Sequence, residues 1–283
     1  MGTWEFPLVL FTVLGQWAIG IALVITMIEY FFSTTINEVA IKRLRVGGIA
    51  VLPLVALSLL ASLFHLGQPL SAIKAISNIG VSMLSMEILT FMIVGVLALL
   101  YSYMWWKTPT RAARKPVGLA LSVVGLVAVV ISSRVYALPA RFAWNSWETT
   151  AAFVITLLLL GSVSVAFLLS KIEGEAAQKL RKCLGILIIG SVVFIGLTLG
   201  SFAQSYGASA EQSAAVIATF ASSFFIVRLL IGILLPMVFA GVFMASQRPC
   251  RTVAAITLGG VVVGEITGRI LFYSSVMGQY PWF

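Results

Sequence analysis

The 283 residues are 60% hydrophobic and 10% charged, with 18 lysines and arginines against 9 acidic residues, for a net charge of +9. A mean hydropathy of +1.09 leaves too little polar surface to wrap a soluble domain, so the chain reads as an integral membrane protein. The basic excess would suggest nucleic acid in a soluble protein, but here it falls in short segments between apolar runs, where it orients a chain in a bilayer.

The opening run, "MGTWEFPLVLFTVLGQWAIGIALVITMIEYFF", carries a glutamate and no lysine or arginine ahead of an apolar stretch much longer than a signal-peptide core, which predicts a retained spanning helix. A hydrocarbon core of roughly 30 Å takes about 20 apolar residues per helix. The chain divides into eight such runs, near 7–30, 46–66, 84–106, 117–138, 149–170, 184–203, 216–245 and 252–278. They are continuous rather than alternating, so the expected fold is all-α, a polytopic bundle of eight transmembrane helices and not a barrel. Pro53 and Pro236 fall inside the second and seventh runs and predict kinks there. Residues 1–283 show no internal repeat, low-complexity tract or long linker, so a single eight-helix membrane domain is expected.

The connectors alternate in charge. Thirteen basic residues lie on one side: Lys42, Arg43 and Arg45 after the first helix, Lys107, Arg111, Arg114 and Lys115 after the third, then Lys171, Lys179, Arg181 and Lys182, and finally Arg248 and Arg251. The other connectors hold only Lys74 and Arg141. The positive-inside rule therefore puts both termini on the outer, periplasmic side. The connector "GQPLSAIKAISN" spaces Leu70, Ile73 and Ile76 as a short interfacial helix would. Trp4, Trp144, Trp147 and Trp282 at outer ends, with Trp105 and Trp106 at the inner edge, fit an aromatic belt.

Ionisable side chains inside spans are costly and mark a pathway, a site or a structural pair. His65, the lone histidine, ends the second run and Glu87 begins the third at the same outer level. A histidine at a helix end is often a polar cap, and a carboxylate at a helix N-terminus is a routine dipole partner. Together, however, the two form a proton-accepting pair at neutral pH. Arg134 lies in the last turn of the fourth helix, with the alternative of snorkelling to the surface; Arg141 and Glu148 flank the aromatic loop after it. Glu265 and Arg269 are spaced for an intrahelical ion pair, and Gly260, Gly264 and Gly268 run beside them as a close-packing face. Arg228, deep in the seventh run, needs a partner from another helix, for which Glu265 is the candidate. Two cysteines are too few for an iron–sulfur cluster, and one histidine too few for bis-histidine haem.

The segments "WEFPLVLFTVLGQW", "HLGQP" followed by "GVSMLSMEI", "RVYALPARFAWNSWETTAAF" and "GEITGRILFY" resemble, in order and spacing, the membrane anchor subunit of bacterial dimethyl sulfoxide reductase. The resemblance spans essentially the whole chain. It implies an inner-membrane, menaquinol-oxidising subunit of an anaerobic respiratory complex, passing electrons to an iron–sulfur subunit and on to a molybdopterin catalytic subunit docked on the outer face. Carried over by position, the quinol-site residues would be His65 and Glu87, with Arg134, Tyr136, Arg141, Trp144 and Arg269 around the bound molecule. In this scheme His65 takes the hydroxyl proton, Glu87 relays it outward, and the complex conserves no energy across the membrane. A secondary transporter and a purely structural anchor are the rival readings, although a transporter of this size commonly shows an inverted repeat.

Overall fold

The computed structural model describes residues 5–34, 36–65, 78–107, 110–246 and 249–277, without side-chain placement at Glu5, His65, Ala176 and Met277. Nine helices follow one another in these residues: α1 (Glu5–Phe31), α2 (Glu38–His65), α3 (Met83–Lys107), α4 (Arg111–Val135), α5 (Trp147–Leu169), α6 (Glu175–Gln204), α7 (Ala210–Phe220), α8 (Ser223–Ala245) and α9 (Arg251–Met277). All except the 11-residue α7 are long and apolar enough to cross a bilayer, and no strand occurs among the described residues.

Three helices begin well before their apolar runs. The second starts at Glu38 rather than near 46, the fourth at Arg111 rather than near 117, and the sixth at Glu175 rather than near 184. Hydropathy sees only the part of a helix that lipid must accept, whereas charged helix formers carry it on into the interface. The start of α2 is fixed locally by Asn37, whose side-chain oxygen accepts from the Ala40 N–H at 2.9 Å. The interfacial helix expected over 67–78 lies largely outside the described residues, as do Lys74, Arg248, Trp4 and Trp282.

The continuous run expected at 216–245 is instead two helices. The chain breaks at Ala221–Ser222, where the Ser222 hydroxyl accepts from the Phe224 N–H and starts α8 afresh. Within α8, Arg228–Leu234 is a π-helical turn, in which Leu235 donates to the Leu230 carbonyl five residues back. Pro236 follows directly and has no N–H to return the chain to four-residue spacing at that position. Pro53 is accommodated differently. One residue before it, the Ser102 hydroxyl of α3 accepts from the Leu52 N–H at 3.1 Å and donates to the Gly48 carbonyl at 2.9 Å, so a neighbouring side chain is spliced into the α2 ladder.

The centre of the bundle is α1 and α5. Their apolar windows are 78% and 72% buried, against 22–50% for the other spans, which leave a face to lipid. Lipid is as apolar as a leucine side chain, so close approach and interhelical hydrogen bonds hold such helices together. At the α1–α5 crossing, a Cβ on Gly20 would stand 2.1 Å from the Leu157 carbonyl oxygen, and one on Gly161 would stand 2.3 Å from that of Gly20. Trp17 donates to Ser164 across the same interface at 2.7 Å, and Ser58 of α2 donates to the Phe11 carbonyl of α1 at 2.7 Å. At the end carrying the basic connectors, Glu29 of α1 and Arg114 of α4 form a buried 2.8 Å ion pair, the guanidinium lying 4.1 Å from the Trp105 ring.

Candidate functional site

The end opposite the basic connectors is organised by the segment between α4 and α5. After Val135, the chain folds through successive tight turns, with Leu138, Arg141 and Trp144 donating backbone bonds to the carbonyls of Tyr136, Leu138 and Arg141. These turns carry Tyr136 and Trp144 onto Phe272 and Tyr273 of α9 and Phe153 of α5. Tyr136 lies 5.4–5.8 Å from all four of its aromatic neighbours, Trp144, Phe153, Phe272 and Tyr273. Trp144 stacks on Phe272 at 5.2 Å and donates its indole N–H to the Phe272 carbonyl at 2.8 Å. The Tyr273 hydroxyl donates to that of Tyr136 at 3.0 Å. Trp144 and Trp105 are therefore buried packing residues rather than members of an aromatic belt, while Trp106 and Trp147 are exposed as a belt requires.

Beside this cluster, Glu87 in the first turns of α3 is only 6% exposed and accepts a short hydrogen bond from Ser132 of α4. Ser132 precedes Tyr136 by one helical turn, so the same helix end presents both groups. Glu29 and Glu265, the other buried carboxylates, each face an arginine; Glu87 has no ion-pair partner among the described residues. His65 is the last residue of α2, which packs on α3, and its side chain lies outside what is described. Arg134 is exposed, and Arg141 is half-buried.

Arg269 is 4% exposed and does not pair with Glu265 as its spacing suggests. Its guanidinium donates to Gln16 of α1 at 2.9 Å and lies 3.7 Å from the centroid of Phe153, beneath the aromatic cluster. Glu265 faces another way, accepting from Thr156 of α5 at 2.6 Å and lying 3.7 Å from Arg228, the expected interhelical partner. The reason is the glycine face of α9. Gly264 meets Gly232 so closely that a Cβ on it would be 2.3 Å from the Gly232 Cα, and a Cβ on Gly268 would overlap the Arg228 guanidinium. The π turn and Gly268 together admit Arg228 to Glu265 and to the Gly264 carbonyl, 3.1 Å away. A cleft with about 620 Å³ of empty space, open mouth included, lies beside this pair between α5, α6, α7 and α9, with Glu148, Arg228 and Phe272 on its walls. Glu148 accepts from Ser201 at 2.6 Å, and its second oxygen is buried without a partner among the described residues.

The sequence placed Glu87, Tyr136, Trp144 and Arg269 at one end of the molecule, and the structure joins the last three in one packed cluster with Glu87 alongside. The partners that finish it, Gln16, Ser132, Thr156, Phe153 and Tyr273, did not stand out. Gln16 carries the only usable signal, being an amide in the middle of an apolar run. No group of histidine, cysteine, aspartate or glutamate side chains suited to a metal ion occurs among the described residues.

Comparison with known proteins gives a match over residues 1–275 to the family model described as DMSO reductase anchor subunit (DmsC). The sequence is 30% identical to YnfH, an anaerobic dimethyl sulfoxide reductase chain of Escherichia coli strain K12, over 96% of this protein and 95% of that one. It is 26% identical to an anaerobic dimethyl sulfoxide reductase subunit of Haemophilus influenzae and 25% identical to a second such subunit of Escherichia coli, with the same coverage of each.

Proposed function

The chain belongs to the DMSO reductase anchor subunit family, a multi-pass inner-membrane component of a redox complex, and from that premise we propose that it oxidises menaquinol at the end of the bundle where Glu87 lies. The observation that carries this reading is that Glu87, alone among the buried carboxylates of the described residues, has no arginine paired with it there. A carboxylate held by an arginine is committed to its charge, whereas one buried among apolar groups and bonded to a hydroxyl is free to take a proton.

Menaquinol becomes menaquinone by releasing two protons and two electrons. In this reading His65 accepts a hydroxyl proton and Glu87 relays protons to the adjacent aqueous side. The Tyr136–Trp144–Phe272 wall supports the flat ring, and Arg269, seated behind Phe153 by Gln16, supplies fixed positive charge while negative charge develops on the headgroup. Arg141, half-buried in the same connector, approaches the headgroup from the water side in this reading, and Arg134, which is exposed, would reach it only by turning in from the surface. The isoprenoid tail enters between the lipid-facing spans. The electrons leave to an iron–sulfur subunit docked over the α2–α3 and α4–α5 connectors, and a molybdopterin subunit beyond it reduces the terminal acceptor. Both termini then face the periplasm, and protons are released on the side where the partner consumes them.

The test is Glu87→Gln in the assembled complex, with menaquinol oxidation measured against reduction of the terminal acceptor by an artificial electron donor. Glutamine keeps the Ser132 bond and the volume but cannot relay a proton, so kcat for the quinol reaction should fall by about 10²–10⁴-fold, with donor-driven activity and assembly unchanged. A purely structural anchor would keep quinol oxidation intact, and a transporter would show solute flux with no dependence on the catalytic subunits.

A further inference from the structure

At the opposite end of the bundle lies a second cleft that the quinol reaction does not use. It opens between the start of α2, the end of α3 and the start of α4, encloses about 830 Å³ of empty space counted to its mouth, and is lined by Lys42, Arg45, Arg111 and Arg114, with Glu38 on the rim. Of these four cations, only Arg114 has a carboxylate partner among the described residues, Glu29. Arg111 spends its guanidinium on two neutral acceptors, the Ser33 and Ile36 carbonyls at 2.7 and 3.1 Å, and Arg45 donates to the Trp106 carbonyl at 2.6 Å while its Nε finds no acceptor among the described residues. These bonds fix the positions of two arginines without neutralising them. Counting Lys42, Arg45, Arg111 and Arg114 against Glu38 and Glu29, the walls carry a net charge of +2.

The N-terminus of α4 adds to the field. Its N-cap Thr110 makes no side-chain cap, and the first N–H groups to return to Thr110 are those of Ala113 and Arg114. The N–H groups of Arg111 and Ala112 have no acceptor among the described residues, at a helix end where the dipole favours an anion. The surroundings of the cleft are apolar and outward-facing: Phe31 is 77% exposed, Val46 60%, Val39 54% and Trp106 59%. A phosphate seated among these cations would sit at the level where the spans leave the hydrocarbon, with a surface beside it suited to acyl chains.

We propose that this cleft binds the phosphate of an anionic phospholipid whose acyl chains lie against the exposed end of α1 at Phe31 and the exposed faces of α2 and α3. Soluble phosphate shares the headgroup chemistry but has no use for the apolar flank. The lipid fastens the α1–α2 connector to the start of α4, where Arg111 already bridges the two.

Native mass spectrometry of the purified complex, with phosphatidylglycerol and phosphatidylcholine supplied in equal amounts, tests it. The wild type should retain phosphatidylglycerol at least about ten-fold over phosphatidylcholine, because several basic groups at one membrane surface act together on the anionic headgroup. Lys42→Glu alters the charge by two units and removes none of the bonds that pin Arg45 and Arg111, so it should abolish that preference while thermal unfolding stays as in the wild type. Lys171→Gln, in another basic connector, should leave it intact. Equal retention of the two lipids by the wild type, or an unchanged preference in Lys42→Glu, overturns the proposal. Displacement of the lipid by excess inorganic phosphate assigns the cleft to a soluble anion and equally overturns it.

Discussion

Replacing Arg114 with leucine removes the 2.8 Å ion pair to Glu29 and the guanidinium 4.1 Å from the Trp105 ring, and leaves a carboxylate that is 1% exposed without its cation. Removing one partner of a buried pair costs about 3–5 kcal/mol, and the lost ring contact adds about 0.5–2 kcal/mol. Glu29→Gln is milder at about 1–3 kcal/mol, because the amide oxygen still accepts from Arg114 and the guanidinium keeps Trp105. The double variant has no buried charge left to strand, so it should be more stable than Arg114→Leu alone, with a coupling energy of roughly 2 kcal/mol. The assay is equilibrium unfolding of the full-length chain in mixed micelles, followed for wild type, both single variants and the double. If the single costs add to within about 0.5 kcal/mol, the two residues are not energetically coupled and the packing argument at this end fails.

Gly268→Ala puts a methyl where the Arg228 guanidinium sits, so Arg228 must leave Glu265; thermal unfolding should detect a loss of about 3–5 kcal/mol, and a loss below about 1 kcal/mol would contradict the placement of Arg228. Trp144→Ala removes the stack on Phe272 and the bond to its carbonyl and should cost about 3–5 kcal/mol, with quinol oxidation impaired before assembly is lost. Ser132→Ala leaves the Glu87 carboxyl in place but without its donor; its quinol activity should exceed that of Glu87→Gln by at least about ten-fold, as expected of a positioning group beside a proton acceptor. Sidedness is testable through Cys250, an exposed thiol just before α9 whose pKa is lowered by the backbone N–H groups of Val253 and Thr252 and by the Thr252 hydroxyl. A membrane-impermeant maleimide should label it in inverted vesicles and not in right-side-out ones, and should do so at a lower pH than an ordinary thiol requires. Labelling from the periplasmic side would reverse the proposed orientation.

The distance between Arg269 and Gln16 along the chain, 253 residues, shows where sequence reading stops. Hydropathy is a local property, written into some twenty consecutive residues at a time by the thickness of the bilayer. It was enough to find eight spans and the basic ends of their connectors. The order and spacing of a few polar and aromatic segments were enough to point to the family. Which groups meet is a property of helix crossings, and no local window contains it. A spacing of four residues made Glu265 and Arg269 look like a pair, but the contact of Gly264 with Gly232 turned Glu265 toward Arg228 and left Arg269 to an amide on the first helix. The break at Ala221–Ser222 and the π turn after it were invisible for a related reason. Both lie within what hydropathy averages into one apolar run, and hydrophobicity does not record how the backbone bonds are routed inside it.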